Sequence, residues 1–325
     1  MHTDPHSFQT ALTGVQYMLR DQRKQETRSF AFTPFKASNH PCRLAAVDGS
    51  NHDRKGMNFL FSSLRSGYLL YEKGNLVEHS IDPIVVEFLA HNDDPVIGYG
   101  ARHSTYFTTV TGSAPSRTLQ FDKISDHIRT LLEWQKIAHL VDKLDRGDLI
   151  IFDGSLISGE ISTNHDFFES LAKNAKSKGI SLIGLSKDTG LSIGSAPILP
   201  VLQKARKVQH PNQNWYTYIE EHDTYFVQFS KNKELLFRVD VVKPDDIAFE
   251  TVISWVGSYC FDPPTFGYPY PMQHIHDAVR ISKTDFDLCF RQFKKGCLEN
   301  GFTQESFEML FSRYHDQLDK LSFGR

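Results

Sequence analysis

Cysteine is scarce in this chain of 325 residues: Cys42, Cys260, Cys289 and Cys297 are the four present, and no two form a CxxC pair. That count and spacing exclude a disulfide framework, and buried thiols in a reducing cytoplasm are expected. A cationic excess is also lacking. Lys and Arg number 36 against 39 Asp and Glu, a formal net charge of −3, so no general positive field draws in nucleic acid or membrane, and any polyanion must meet a local patch. No apolar run approaches the length needed to cross a bilayer, and the first residues, "MHTDPHSFQTALTGVQYMLRDQRKQETR", are polar throughout with no apolar h-region. No repeat, low-complexity tract or obvious linker divides the chain. The expectation is a soluble, cytoplasmic protein that does not engage a membrane.

What the chain has is apolar material, 40% of its residues, enough to fill one substantial core. The patterning reads as an α/β protein with helical ends. Residues 6–28 can be written as a helix with a narrow apolar stripe of Phe8, Leu12, Val15 and Leu19, suited to an arm or a packing helix. From 43 to 112 the chain is strand-rich: "RLAAVD", then "NFLFSSLRSGYLLYEKGNLVEHS" with a turn signal at Lys73-Gly74-Asn75, then a stretch around "STYFTTVTG". This predicts an antiparallel meander after the first strand. The segment 122–147 has helical spacing in Ile124, Ile128, Leu131 and Leu132 and again in Ile137, Leu140, Val141 and Leu144, and is expected to stop at Gly147. A strand at 149–153, a helix at 165–178 closed by Gly179 and a strand at 180–186 follow, an alternation that implies parallel strands under a covering helix. Two strand-like runs, "DTYFVQFS" and "LLFRVDVV", a helix over 245–259 and three later helical patterns complete the chain. A single domain is expected, with a helical arm at 1–40, the core at 41–281 and C-terminal helices at 282–325.

Two stretches, "LAAVDGS" at 44–50 and "DLIIFDGSL" at 148–156, end an apolar run in Asp-Gly-Ser. One copy alone is ordinary turn chemistry, since Asp bonds its own backbone and Gly accepts positive φ. Two copies with similar lead-ins place Asp48 and Asp153 at strand ends, where open α/β sheets build their sites. Glu133, in "LLEWQKI", shares a helix face with Ile137, Leu140 and Leu144, roughly opposite Ile124 and Leu131, so that helix is buried on more than one side. A carboxylate so placed needs a partner, which a plain Arg or Lys would satisfy. The order of acid on a first strand, antiparallel strands, acid on a helix and acid on the next strand resembles the ribonuclease-H-like arrangement. In such a site carboxylates converge on one or two Mg²⁺ or Mn²⁺ ions, because hard divalent ions take oxygen ligands and stabilise the attacking and leaving oxygens of a phosphodiester. The resemblance implies that Asp48, Glu133 and Asp153 are those ligands.

Further motifs narrow the resemblance. "LSKDTG" puts Lys187 just after a strand, and "GYPYPMQHIHDAVRI" puts Tyr268 eight residues before His276. With "AAVDGS", "LLE" and "FDGSL", these are similar to the motifs of the NurA nuclease family, over most of residues 43–281. The resemblance implies metal ligation by Asp48, Glu133 and Asp153, with Tyr268 and His276 completing the site and His276 a further ligand. Lys187 corresponds to a position usually basic in the family. Also implied are a homodimer docked on a HerA-type hexameric ATPase and Mn²⁺- or Mg²⁺-dependent cleavage of single- and double-stranded DNA, in end processing for repair or anti-phage defence. The histidine motif departs from the family pattern, because Ile275 stands where a small residue is expected. His274 is therefore a second candidate for the imidazole that faces the site.

Other motifs carry less. "KDTG" contains the Asp-Thr-Gly of aspartic proteases, but that chemistry needs two such loops in a mostly β fold. His274 and His276, two apart on a helix, point in different directions and do not share a zinc ion easily. The basic clusters "KARK" at 204–207 and "RQFKK" at 291–295 are candidates for phosphate contact, with a solvated face as the ordinary alternative. The aromatic, proline-rich run "FDPPTFGYPYP" is either a rigid packed loop or a wall positioning Tyr268. The competing reading of the whole chain is a non-catalytic scaffold that caps or regulates a ring ATPase.

Overall fold

The computed structural model describes residues 4–26, 28–56, 58–116, 119–156, 164–209, 213–230, 235–261 and 267–311. In chain order the elements are α1 (Pro5–Glu26), β1 (Thr33–Pro34), β2 (Arg43–Lys55), β3 (Phe59–Glu72), β4 (Asn75–Ile81), β5 (Val85–Ala90), α2 (Tyr99–Thr111), α3 (Ile124–Lys143), β6 (Leu149–Asp153), α4 (His165–Lys178) and β7 (Ser181–Ser186). There follow β8 (Ser192–Ile193), β9 (Ala196–Pro197), α5 (Ile198–Gln209), β10 (Trp215–Ile219), β11 (Thr224–Gln228), β12 (Phe237–Val242), α6 (Phe249–Gly257), α7 (Tyr270–Val279), α8 (Lys283–Glu299) and α9 (Gln304–Phe311). One mixed sheet runs β1-β10-β11-β12-β7-β6-β2-β3-β4, with β5 also paired to β3. β6 is parallel to both β2 and β7, while β3 and β12 run antiparallel to the outer sides of this trio.

Strand periodicity sorts the core into two layers. On one face Leu44, Ala46, Ile151, Ile183 and Leu185 pack against Val252 and Val256 of α6 and Met272, Ile275 and Val279 of α7. On the other, Ala45, Val47, Ile150, Phe152 and Leu182 meet Trp134, Ile137 and Leu140 of α3 and Leu171 and Ala175 of α4. The central strands are thus buried on both faces, which is why they read as nearly continuous apolar runs.

The hairpin expected at Lys73-Gly74 is present, with both residues at positive φ (48° and 83°) joining β3 to β4, as a primed two-residue turn requires. Gly179 closes α4 at φ 79°. Several expectations need correction. "STYFTTVTG" is part of α2 and not a strand, because His103 and Phe107, four apart, are its buried residues. The hydroxyls of Thr105, Thr109 and Thr111 bond the carbonyls four residues back, so the β-branched composition is absorbed into a helix. α3 ends at Lys143 and not at Gly147, which stands in the following turn at φ 89°. Asp48 does not end its strand: β2 continues to Lys55 along β3, and only its parallel pairing with β6 stops, at Val47 with Phe152. Of the two readings of α1, the arm fits better: among the described residues its apolar stripe is solvent-facing, with Phe8 56% and Val15 53% exposed. Residues 262–266 of the proline-rich run and 312–325 of the C-terminal segment lie outside the described residues.

Candidate active site

Alternation along three adjacent strands decides which side chains meet. Asp48 has the parity of Leu44 and Ala46, Asp153 that of Leu149 and Ile151, and Lys187 that of Ile183 and Leu185, so all three project to the face covered by α7. Asp153 lies at the carboxyl end of β6, one step beyond the last β2–β6 pair, which brings it beside Asp48. From α7, His276 Nδ1 meets Asp48 Oδ2 at 3.0 Å. Lys187 Nζ donates to Asp153 Oδ2 at 2.8 Å and sits 4.7 Å from the centre of the Tyr268 ring.

Glu133 arrives from the opposite face. It is 1% exposed, on α3, and its ion-pair partner is Arg129 one turn earlier, Nη1 to Oε1 at 3.3 Å. It reaches the acids because position 49 is glycine: a Cβ there would lie 2.6 Å from Glu133 Oε1 and 2.9 Å from Arg129 Cγ. Gly49 is therefore the gap in the sheet surface through which the α3 carboxylate approaches Asp48.

The electrostatics show Glu133 and Asp48 each held above the ordinary carboxylate range, with the charge of Asp153 contributing to both. Burial pushes the Glu133 carboxyl up to about 8, against the pull of Arg129, and the charges of Asp48 and Asp153 add to the rise. Asp48 is also raised, first by burial and then by Asp153, against the backbone N–H of Gly49 and the His276 ring. Tyr268 is pushed well above the ordinary phenol range by burial, Asp153 and Asp48, so it stays neutral. Its buried Oη has no hydrogen-bond partner among the described residues.

All six residues singled out from the sequence (Asp48, Glu133, Asp153, Lys187, Tyr268 and His276) thus meet in one place. The choice between the two histidines is resolved by α7: His276 faces Asp48, whereas His274 Nδ1 pairs with the Tyr71 hydroxyl at 2.5 Å on the neighbouring strand. The acids are hard oxygen donors, yet each is held by a basic side chain: Asp48 by His276, Glu133 by Arg129 and Asp153 by Lys187. Among the described residues no group of three or more His, Cys, Asp or Glu side chains is so placed, as the side chains stand, that it could hold a metal ion.

Two contributors were missed from the sequence. Arg129 stands four residues before Glu133, the helical spacing of an ion pair, and was readable on that ground. Asp240, 3% exposed, accepts from Ser155 Oγ at 2.5 Å, Leu156 N at 3.1 Å, Thr224 Oγ1 at 2.9 Å and Arg238 Nε at 3.1 Å. It ties the turn after Asp153 to β12, and an acid inside the apolar "RVDVV" was its signal. The basic clusters lie elsewhere. Arg206 of "KARK" is turned inward onto the Gln213 carbonyl, and Lys294 and Lys295 of "RQFKK" pair with Glu308 and Glu299.

Residues 42–196 match the family model of the NurA domain. That stretch, a little under half of the chain, is similar to the NurA domain. Its fold is that of solved NurA nucleases: the Sulfolobus solfataricus NurA nuclease superposes with a TM-score of 0.55 at 15% identity, over 92% of this chain and 98% of that one. A second NurA crystal structure gives 0.51 at 9% identity, over 89% and 97%. A NurA structure with manganese matches at 0.47 and 11% identity, over 91% and 99%. Among curated proteins none matches this chain. The expected α/β, ribonuclease-H-like core is therefore present, and the structural superposition covers more of the chain than the matched domain does.

Proposed function

We propose that this chain is a metal-dependent deoxyribonuclease whose centre is Asp48, Glu133 and Asp153. The observation that carries the reading is the meeting of three acids from β2, α3 and β6, where the charge of Asp153 raises the proton affinity of both Asp48 and Glu133, beside a neutral buried phenol. Such a cluster is costly to hold without a cation. Asp48, Glu133 and Asp153 would hold Mn²⁺ or Mg²⁺, which supplies charge stabilisation at the attacking and leaving oxygens.

The remaining side chains have separable tasks. The carboxylate of Asp48 accepts from His276 Nδ1 and so orients the ring, directing Nε2 outward, where it can take a proton from water or give one to the leaving oxygen. The neutral phenol of Tyr268 has a proton to donate, and a non-bridging phosphate oxygen is a fitting acceptor. Lys187, which donates to Asp153, would be released toward a neighbouring phosphate were that carboxylate to hold a cation.

A homodimer working with a HerA-type hexameric ATPase is part of this reading, which rests there on family resemblance. It accords with a net charge of −3, which leaves substrate delivery to a partner. The alternative, a non-catalytic cap, makes no use of three acids in this arrangement. The test is purified protein with linear DNA in Mn²⁺ or EDTA, with and without the ATPase. Cleavage in Mn²⁺ that EDTA stops is expected, and no cleavage under any of these conditions would favour the cap.

A further inference from the structure

Beside the acids opens a pocket of about 530 Å³, shared with the proposed centre through Asp153 and Lys187 and otherwise without a part in the proposed chemistry. Its walls are the turn Gly154–Ser155 and the loop Ser186–Gly190, with Arg129, Arg238 and Lys187 among the lining residues and Asp153 on the rim shared with the centre. The volume is in the range of small-ligand sites. It suits one phosphate and its sugar, and not a paired duplex.

Arg238 is the least expected of these residues. It comes from β12, opposite Ser186 in register, and its side chain is only 13% exposed. Its side chain donates through Nε to Asp240 Oδ1 at 3.1 Å, and Asp240 has three further donors. Asp240 thus holds the guanidinium by one edge, and among the described residues the terminal nitrogens are left for another acceptor. A planar fork fixed in this way is suited to a phosphate oxygen pair. The hydroxyl-bearing Ser186 and Thr189 line the same pocket.

We propose that this pocket is a second phosphate site, in which Arg238, with Arg129 and Lys187 alongside, binds a phosphodiester of a single strand next to the one lying over the acids. The assignment rests on the nuclease reading for its substrate class. It makes Arg238 a substrate-binding residue and adds local positive charge that the overall balance of −3 lacks.

The test measures binding and not turnover. Affinity for a fluorescein-labelled single-stranded oligonucleotide is followed in EDTA across a series of NaCl concentrations, with thermal melts to check folding. Arg238→Gln is expected to weaken binding about tenfold, the scale of one charge-assisted bond. It should also flatten the log–log salt slope by about 0.7, the value for one phosphate contact on a single strand. Asp188→Asn, at an exposed residue lining the same pocket, removes a negative charge and is expected to tighten binding severalfold with an unchanged melt. Wild-type affinity and slope in folded Arg238→Gln would overturn the proposal. If that variant does not fold, Asp188→Asn decides alone, and unaltered affinity there would overturn it. Because EDTA prevents cleavage, the pocket and the nuclease centre fail separately: a chain that never cuts DNA can still show both binding effects, and a chain that cuts through its acids can show neither.

Discussion

At the scale of single residues, each member of the acid cluster has a distinct expected signature. Asp48→Asn and Asp153→Asn are expected to abolish cleavage while leaving the fold intact, since an amide is a weak, neutral substitute for an anionic ligand. Both should also melt higher than wild type in metal-free buffer, because each removes one of several like charges held together. Glu133 gives a pH signature. Its carboxyl is raised in the folded protein to about 8 from an ordinary 4.5, so the folded state prefers the protonated form. That preference stabilises fully below the unfolded value and is lost as pH rises through the folded one. In EDTA, wild type should therefore lose melting temperature between pH 5 and pH 8 relative to Glu133→Gln, and parallel curves would place Glu133 outside the buried cluster. Among the histidines, His276→Ala should lower cleavage at least about a hundredfold, Tyr268→Phe less, and His274→Ala least, since His274 serves Tyr71. A severe His274→Ala with a mild His276→Ala would reverse the face of α7 assigned to the site.

At the scale of elements, the approach of α3 to β2 is the geometry on which the cluster depends. Gly49→Ala puts a methyl 2.6 Å from Glu133 Oε1, too near for either side to accommodate without movement. Overpacking of this kind costs about 1–3 kcal/mol, and cleavage should fall with the displaced carboxylate. Full activity with a normal melt would show that Glu133 need not approach Asp48. Much of this geometry was legible in the sequence because apolar alternation puts Asp48 and Asp153 on one face, and helical spacing buries Glu133. What was not legible depended on partners distant along the chain. α2 looked like a strand because its threonines and aromatics favour β structure in isolation, and only burial of His103 and Phe107 selects the helix. Asp48 looked like a strand end because Asp-Gly-Ser is turn chemistry, whereas pairing with β3 carries β2 onward to Lys55. The clamp of Asp240 on the Asp153 turn joins residues 84 and 85 apart, a span no local pattern reports.

At the scale of the whole molecule, the sheet brings one acid from each of two parallel strands and one from a covering helix to a single edge, while the described basic clusters lie away from it. Among the described residues no helix is long and apolar enough to cross a membrane. With a net charge of −3, duplex affinity of the isolated chain is expected to be weak and strongly salt-dependent, each phosphate contact adding about 0.9 to the log–log slope. Tight binding insensitive to salt would contradict that expectation. The central claim, that the three acids hold a divalent cation, is tested most directly by calorimetric titration of the protein with Mn²⁺ at pH 7, without DNA, in buffers of different ionisation enthalpy. Glu133, raised to about 8, is mostly protonated at that pH, so a cation must displace its proton. The account expects wild-type binding accompanied by release of close to one proton, with binding lost in Asp48→Asn and Asp153→Asn. Absence of Mn²⁺ binding in the wild type, or equal binding in both variants, would contradict it.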